Sequence, residues 1–355
     1  MSVLELARPE IRALQPYSSA RMEASGGQVL LNANESPWPP PGDGGRGLNR
    51  YPGPQPAALV ARLAALYGVA AGQVLAARGS DEAIDLLVRA FCRAGADAVV
   101  VCPPTFGMYA VSARVQGAEV IEAPLADGFA LDADALLAAA TPAVKLVFVC
   151  TPNNPTGGVV PPATLERLAA ALRGRALLVV DEAYVEFAGT PSAAALLPRF
   201  DNLVVLRTLS KAWALAGARI GALLAAPEIV ALLRRIMPPY PLPTPCVDAA
   251  LAALDARGVA LMHERAALLR AERARLAVRL AALPGVLAVL PSQANFLAVR
   301  FADAAATWRA LLDAGIVVRD VGRQRGLAGC LRIGVGAPAE NERLLAALAA
   351  RAEAA

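Results

Sequence analysis

Four short runs of apolar, often β-branched residues, at 98–102, 145–150, 176–180 and 203–206, alternate with stretches of helical periodicity such as 57–67, 81–92 and 163–173. Each run is apolar on both faces, so each strand it forms needs cover on both sides. That pattern predicts an α/β architecture: a mostly parallel sheet enclosed between layers of helices. Residues 36–56 are crowded with proline and glycine, which excludes a regular helix or a central strand there and makes the first fifty residues an arm. A second break comes at 238–245, where Pro238, Pro239, Pro241, Pro243 and Pro245 end a helix and stiffen the chain. Beyond it the pattern predicts a long helical region over 246–282, then strands at 286–290, 295–300, 316–319 and 330–335. These read as a smaller α+β domain. The chain of 355 residues, 56% hydrophobic, has material for two such cores. The boundaries are an arm at 1–45, a large domain at 46–245 and a small C-terminal domain at 246–355.

Composition excludes several classes. A net charge of +4, from 34 basic and 30 acidic residues spread along the chain, gives no basic stripe for nucleic acid. Cys92, Cys102, Cys150, Cys246 and Cys330 are far apart, with neither metal spacing nor a disulfide framework, and read as reduced residues of a cytoplasmic protein. His263 is the only histidine. A histidine zinc site or a histidine-based triad would rest on that one residue, in a helical stretch beside Glu264 and Arg265. The N-terminal residues carry acids and Pro9 where a signal peptide needs an apolar core. The apolar stretch 220–233 is shorter than a membrane span and is interrupted by Pro227 and Glu228. Neither a membrane nor an export route is expected.

The residues with chemical potential gather at the C-terminal ends of the predicted strands, where open α/β sheets collect ligands. Asp181 ends one strand; Lys211 lies just past another. The turn 151–158, with Asn154, follows a third, and Gly79-Ser80-Asp81-Glu82 leads into the helix expected from residue 81. Together they meet the needs of pyridoxal phosphate. Lys211 can form an imine with its aldehyde and then move a proton. Asp181 can keep the pyridine nitrogen protonated, which makes the ring an electron sink. Tyr184 and Asn154 can bond the phenolic oxygen. Arg219 offers a fork to the phosphate, with Thr208 and Ser210 beside it and the backbone N–H groups of Gly79, Ser80 and Asp81 at a helix start. Phe106 can stack on the ring.

In this order and spacing, Asn154, Asp181, Tyr184, Ser210-Lys211 and Arg219 resemble the fold-type I pyridoxal-phosphate aminotransferases, over nearly the whole chain. More narrowly, 16–21, 31–35, 49–52, 102–109 and 330–336 are similar to the branch of that family acting on histidinol phosphate. The resemblance implies a seven-stranded large-domain sheet and an arm packed against the small domain and a partner subunit. It implies a homodimer in which Tyr51 reaches the cofactor phosphate of the neighbouring subunit. It also implies that Tyr17, Asn34, Arg319 and Arg332 contact substrate; where the family often has tyrosine, this chain has Phe106. The expected reaction is a ping-pong transamination between histidinol phosphate and 2-oxoglutarate, giving glutamate, in histidine biosynthesis. One arginine fork, Arg332, can accept the phosphate of one substrate and a carboxylate of the other. Arg319 has a local ion pair with Asp320 as its other reading. An aromatic amino-acid aminotransferase and a threonine-phosphate decarboxylase would use the same Lys211 and Asp181 and stay open. A ligand-sensing regulator of this fold would need a DNA-binding module ahead of it.

Overall fold

The computed structural model describes residues 2–18, 27 and 29–353. Seven strands form the larger sheet: β1 Val74–Ala77, β2 Ala98–Val101, β3 Glu119–Glu122, β4 Val144–Cys150, β5 Leu177–Asp181, β6 Leu203–Thr208 and β7 Gly221–Leu224. Their order is β1-β7-β6-β5-β4-β2-β3. Neighbours pair in parallel from β3 to β6, and β7 runs antiparallel between β6 and β1. The strands carry apolar side chains to two cores at once. In β5, Leu178 and Val180 join one buried cluster, while Leu177 and Val179 join the other. This explains why a run apolar at every position is a stable strand here.

Helices α1 Pro9–Ala13, α2 Ala57–Tyr67, α3 Gly79–Phe91, α4 Met108–Gln116, α5 Ala133–Ala139, α6 Pro162–Leu172 and α7 Pro227–Ile236 accompany this sheet. After the proline-rich connection, α8 Thr244–Ala253 and α9 Ala256–Ala281 follow, then a four-stranded antiparallel sheet ordered β10-β11-β9-β8. Its strands are β8 Val286–Val289, β9 Phe296–Phe301, β10 Arg319–Asp320 and β11 Cys330–Gly334, with α10 Ala304–Asp313 and α11 Pro338–Glu353. The helical region expected over 246–282 consists of the two helices α8 and α9. Asp255 caps the second by accepting from the Gly258 N–H at 2.6 Å. Helix α9 links the cores, Met262 and Ala266 packing in the large one, Leu276 and Leu280 in the small one.

Two other expectations change. Helix α3 begins at Gly79, two residues early, and the strand expected at 316–319 is only β10. Of the arm, expected against the small domain and a partner subunit, the first residues pack on the larger core. Val3, Leu6 and Ala7 are buried with Ile84, Leu87 and Ile229, and the Arg8 N–H donates to the Ala90 carbonyl at 3.0 Å. The apolar spacing of 3, 6 and 7 finds its partners on α3 and α7. Ser19, Ala20 and Arg21 of the arm motif lie outside the described residues. All five cysteines are free, four of them buried. Among the described residues no helix is long and apolar enough to cross a membrane.

The antiparallel β7 decides the site. Because it starts at the edge where the parallel strands end, Gly221 pairs with both Thr208 of β6 and Ala77 of β1. A Cβ at Gly221 would lie 2.6 Å from the Gly79 carbonyl carbon and 2.9 Å from the Arg207 carbonyl oxygen, both backbone atoms. Gly221→Ala is therefore expected to lower stability by about 1–3 kcal/mol, read as a shift in the urea unfolding midpoint with an unchanged slope.

Candidate active site

The ends of β4, β5 and β6, the start of β7 and the turn after β1 meet at one edge of the sheet. Between them lies a cavity of about 140 Å³, lined by Ser80, Phe106, Asn154, Asp181, Thr208 and Lys211 among others. Gly79, Asp81, Tyr184, Ser210 and Arg219 line it as well. Eleven residues singled out from sequence thus share one small space.

Asp181 is 2% exposed at the last position of β5. Its Oδ1 accepts from the Ala183 N–H at 3.0 Å and its Oδ2 from the Tyr109 hydroxyl at 2.7 Å. Burial pushes its pKa above the usual carboxylate range, and the Tyr109 and Ala183 bonds oppose that. A carboxylate so placed favours a cationic or protonated partner. Lys211 lines the same cavity, its Nζ 5.7 Å from the Tyr184 ring centroid. Partial desolvation and then the like charge of Arg332 push the ammonium below the usual lysine range. Lys211 and Lys145 are the chain's only lysines; Lys145, at the opposite end of β4, faces Asp97 at 3.9 Å. Tyr184 is 7% exposed, its ring edge-on to Phe296 at 5.2 Å, and burial raises its phenol pKa well above the ordinary tyrosine value.

At the other end of the cavity the groups suit an anion. Helix α3 starts without a side-chain cap, so its first N–H groups remain available. Gly79 has φ +77°, and a Cβ there would sit 2.8 Å from Arg219 Nη2. Arg219, itself left-handed at φ 54°, donates to Asp81 at 3.2 Å and to Ser210 Oγ at 3.4 Å. That ion pair is half-exposed on both sides. Such pairs are worth about 0–1 kcal/mol, so an incoming dianion can take the fork from Asp81. The presence of acids beside an anion site is thereby explained: Asp81 holds Arg219 in place.

A larger cleft of about 900 Å³ adjoins this cavity through Tyr184 and Lys211, and Arg319 and Arg332 line it from the four-stranded sheet. The two arginines face each other across the β10–β11 ladder. Arg332 also donates to Asn154 Oδ1 at 2.5 Å and lies over the Phe296 ring, bridging the two sheets. The Oδ1 of Asp320, next to Arg319, accepts from the Gly322 N–H at 2.7 Å. Three expected residues are elsewhere. Tyr17, 70% exposed, lines a separate groove with Gln55 and Arg234; Asn34 and Tyr51 share another cleft, where Tyr51 stacks on Tyr240 at 4.4 Å. Within one chain none of the three lines the Lys211 cavities.

Tyr109 was not assigned from sequence, and neither were the cleft residues Trp308, Arg323 and Gln324. Only a contact map reveals the Tyr109 role, because Asp181 lies 72 residues away. The Glu182, Glu186 and Arg207 cluster behind the site was also unforeseen. Arg207 pairs with Glu182 at 3.4 Å and Glu186 at 2.8 Å, over the Tyr67 ring.

Residues 33–348 match the family described as aminotransferase class I and II. The chain belongs to that family. It is 56% identical to a histidinol-phosphate aminotransferase of Stenotrophomonas maltophilia, over 99% of this chain and 98% of that protein. Among solved structures, the histidinol-phosphate aminotransferase of Sinorhizobium meliloti in complex with pyridoxal-5'-phosphate is 30% identical at a TM-score of 0.77, covering 91% of this chain and 90% of that one. The L-threonine-O-3-phosphate decarboxylase of Porphyromonas gingivalis, 24% identical at a TM-score of 0.75 over 86% and 91%, shares the fold. The fold-type I architecture expected from sequence is therefore the observed one.

Removing the charge of Arg332 makes the protonated form of Lys211 less costly and raises its pKa. In Arg332→Gln, half-maximal labelling of Lys211 by an amine-selective reagent should move to higher pH than in the native protein, read by peptide mass across a pH series.

Proposed function

We propose that this chain is a histidinol-phosphate aminotransferase that uses pyridoxal phosphate and transfers the amino group to 2-oxoglutarate, in histidine biosynthesis. The observation that carries the reading is that Lys211 and buried Asp181 line one small cavity together with an anion cradle. The residues fit the cofactor on three grounds. Asp181 is a desolvated carboxylate that gains from a protonated ring nitrogen. Lys211 has a depressed pKa that favours the free amine. The absence of a side chain at Gly79 lets Arg219 come up against the α3 N-terminus, where both can face a phosphate. The names of the full-length relatives support the substrate.

When bound, the cofactor supplies an aldehyde that takes up amino nitrogen and a ring that accepts the electron pair released at the substrate Cα. The remaining work falls to the chain. Lys211 Nζ takes a proton from the substrate Cα and returns it on the far side of the transfer. Asp181 keeps a proton on the ring nitrogen. The Tyr184 hydroxyl and the Asn154 amide hold the ring oxygen, and Phe106 covers one face. Arg219, Thr208, Ser210, Ser80 and the first N–H groups of α3 hold the phosphate. Arg332, with Arg319 beside it, takes the substrate anion, phosphate in one half-reaction and carboxylate in the other.

We further propose a homodimer in the cytoplasm. Tyr51, 50% exposed, and Tyr17 and Asn34 stand at the surface of one chain, where a second copy could receive them, and the five free cysteines suit a reducing compartment. On this reading Tyr51 reaches the phosphate of the neighbouring subunit, so Tyr51→Phe should loosen the cofactor several-fold, measured by equilibrium dialysis. A monomer with full activity on gel filtration would contradict the shared site.

Lys211→Ala should lower turnover by at least about a hundredfold. In half-reactions, the loaded enzyme should change its absorbance faster with histidinol phosphate than with phenylalanine or threonine phosphate. A preference for either of the latter would overturn the substrate assignment.

A further inference from the structure

The side chain that orders Asp181 is Tyr109, and no role has yet been given to it. It is fully buried at the start of α4, where its ring lies parallel to Phe148 of β4 at 4.7 Å and edge-on to Phe106 at 5.6 Å. Held between two rings, its hydroxyl has little freedom and meets Asp181 Oδ2 at 2.7 Å. Oδ1 is taken by the Ala183 N–H, so each carboxylate oxygen has one protein donor and the orientation of the group is fixed. We propose that Tyr109 is a positioning residue for the reaction: its O–H bond to Asp181 holds the carboxylate in its charged form and so keeps the proton on the cofactor's ring nitrogen. This deepens the proposed function, because it rests on Asp181 being the partner of that nitrogen.

The direction follows from elementary acid–base chemistry. A donor to the charged form of an acid makes that acid a weaker base, and among the groups that oppose the effect of burial on Asp181, Tyr109 is the first. Without the phenol, Asp181 becomes the stronger base and draws the shared proton away from the ring. The phenol keeps its own proton, because burial and the neighbouring carboxylate both raise its pKa. Phe106 ties the arrangement to the face of the ring: the aromatic that lines the cavity packs edge-on against the one that orients the carboxylate. The stacking face and the electron sink are thereby set by one pair of side chains, three residues apart on one helix start.

The experiment uses pyridoxal phosphate labelled with ¹⁵N in the ring, bound to the full chain, with the ¹⁵N resonance followed against pH. Tyr109→Phe removes one oxygen and keeps the packing, and its thermal unfolding is measured alongside. The proposal expects the ring ¹⁵N resonance of Tyr109→Phe, on the low-pH plateau where the pair holds its proton, to lie closer to the unprotonated-pyridine position than in the native enzyme. It also expects kcat for the histidinol phosphate half-reaction to fall about tenfold while the KM changes little. A fluorinated tyrosine at position 109, a stronger donor in the same space, should move that plateau further toward the protonated position and serves if Tyr109→Phe folds poorly. Asp181→Asn is the control for the underlying reading. If Asp181→Asn moves the resonance and neither change at position 109 does, the role of Tyr109 is overturned and Asp181 stands. If Asp181→Asn leaves the resonance in place, both assignments fall.

Discussion

A carboxylate at the tip of a buried strand, with two neutral hydrogen-bond donors and, among the described residues, no ion-pair partner, is the constraint around which this site is organised. Asp181 lies where water cannot stabilise its charge, so the protein carries an unfavourable term until a positive group arrives. Tyr109 and the Ala183 N–H reduce the cost and aim the group; neither neutralises it. Lys211 is arranged in the complementary sense, its charge disfavoured by desolvation and by Arg332. The two groups are therefore each less stable in their ordinary charge state, and a ligand carrying a protonated ring nitrogen at one end and an amine-seeking carbon at the other relieves both. Pre-organisation of this kind, in place before the ligand binds, is what makes such a site effective.

The fold supplies the geometry through one reversal of direction. Parallel strands β4, β5 and β6 bring Asn154, Asp181 and Lys211 to a common edge, and the antiparallel β7 begins at that edge, so Arg219 arrives beside Gly79. The glycines at 79 and 221 are where backbone and guanidinium approach too closely for any side chain. The small sheet then delivers Arg332 and Arg319 from the other side. The Arg332 bond to Asn154 joins the small sheet to the turn after β4. On the proposed reading, substrate anion and cofactor would be held by neighbouring, connected groups.

Much of this could be read from residue order, and the parts that could not have physical reasons. The central strands β2, β4, β5 and β6 are visible because burial on both faces demands continuous apolar runs, and they carry Asp181 and the approach to Lys211. The outer strands are less visible. β3, Glu119–Glu122, is an edge strand with exposed acids at both ends, β1 is short and half alanine, and β7 blends into the apolar stretch that continues into α7. Lys211, Asp181, Tyr184, Asn154, Arg219 and Ser80 all meet in one cavity because their positions follow from strand ends, which are local features. Tyr109 was missed because its partner is distant in sequence and its helix face carries no periodic signal pointing to a carboxylate. Tyr17, Asn34 and Tyr51 sit apart from that cavity within one chain, and the role expected of Tyr51 concerns a second copy, which the order of residues in one chain does not position.

On the proposed reading one amine, in the cavity it shares with Asp181, would hold the cofactor. With only Lys145 and Lys211 in the chain, the test has few possible answers. The protein is loaded with pyridoxal phosphate, reduced with borohydride to fix the link to the amine, digested, and the modified peptide identified by mass. The account predicts a single stoichiometric modification on Lys211, absent when the same treatment is applied to Lys211→Ala. Modification of Lys145 or of the N-terminal amine with Lys211 left free would contradict it.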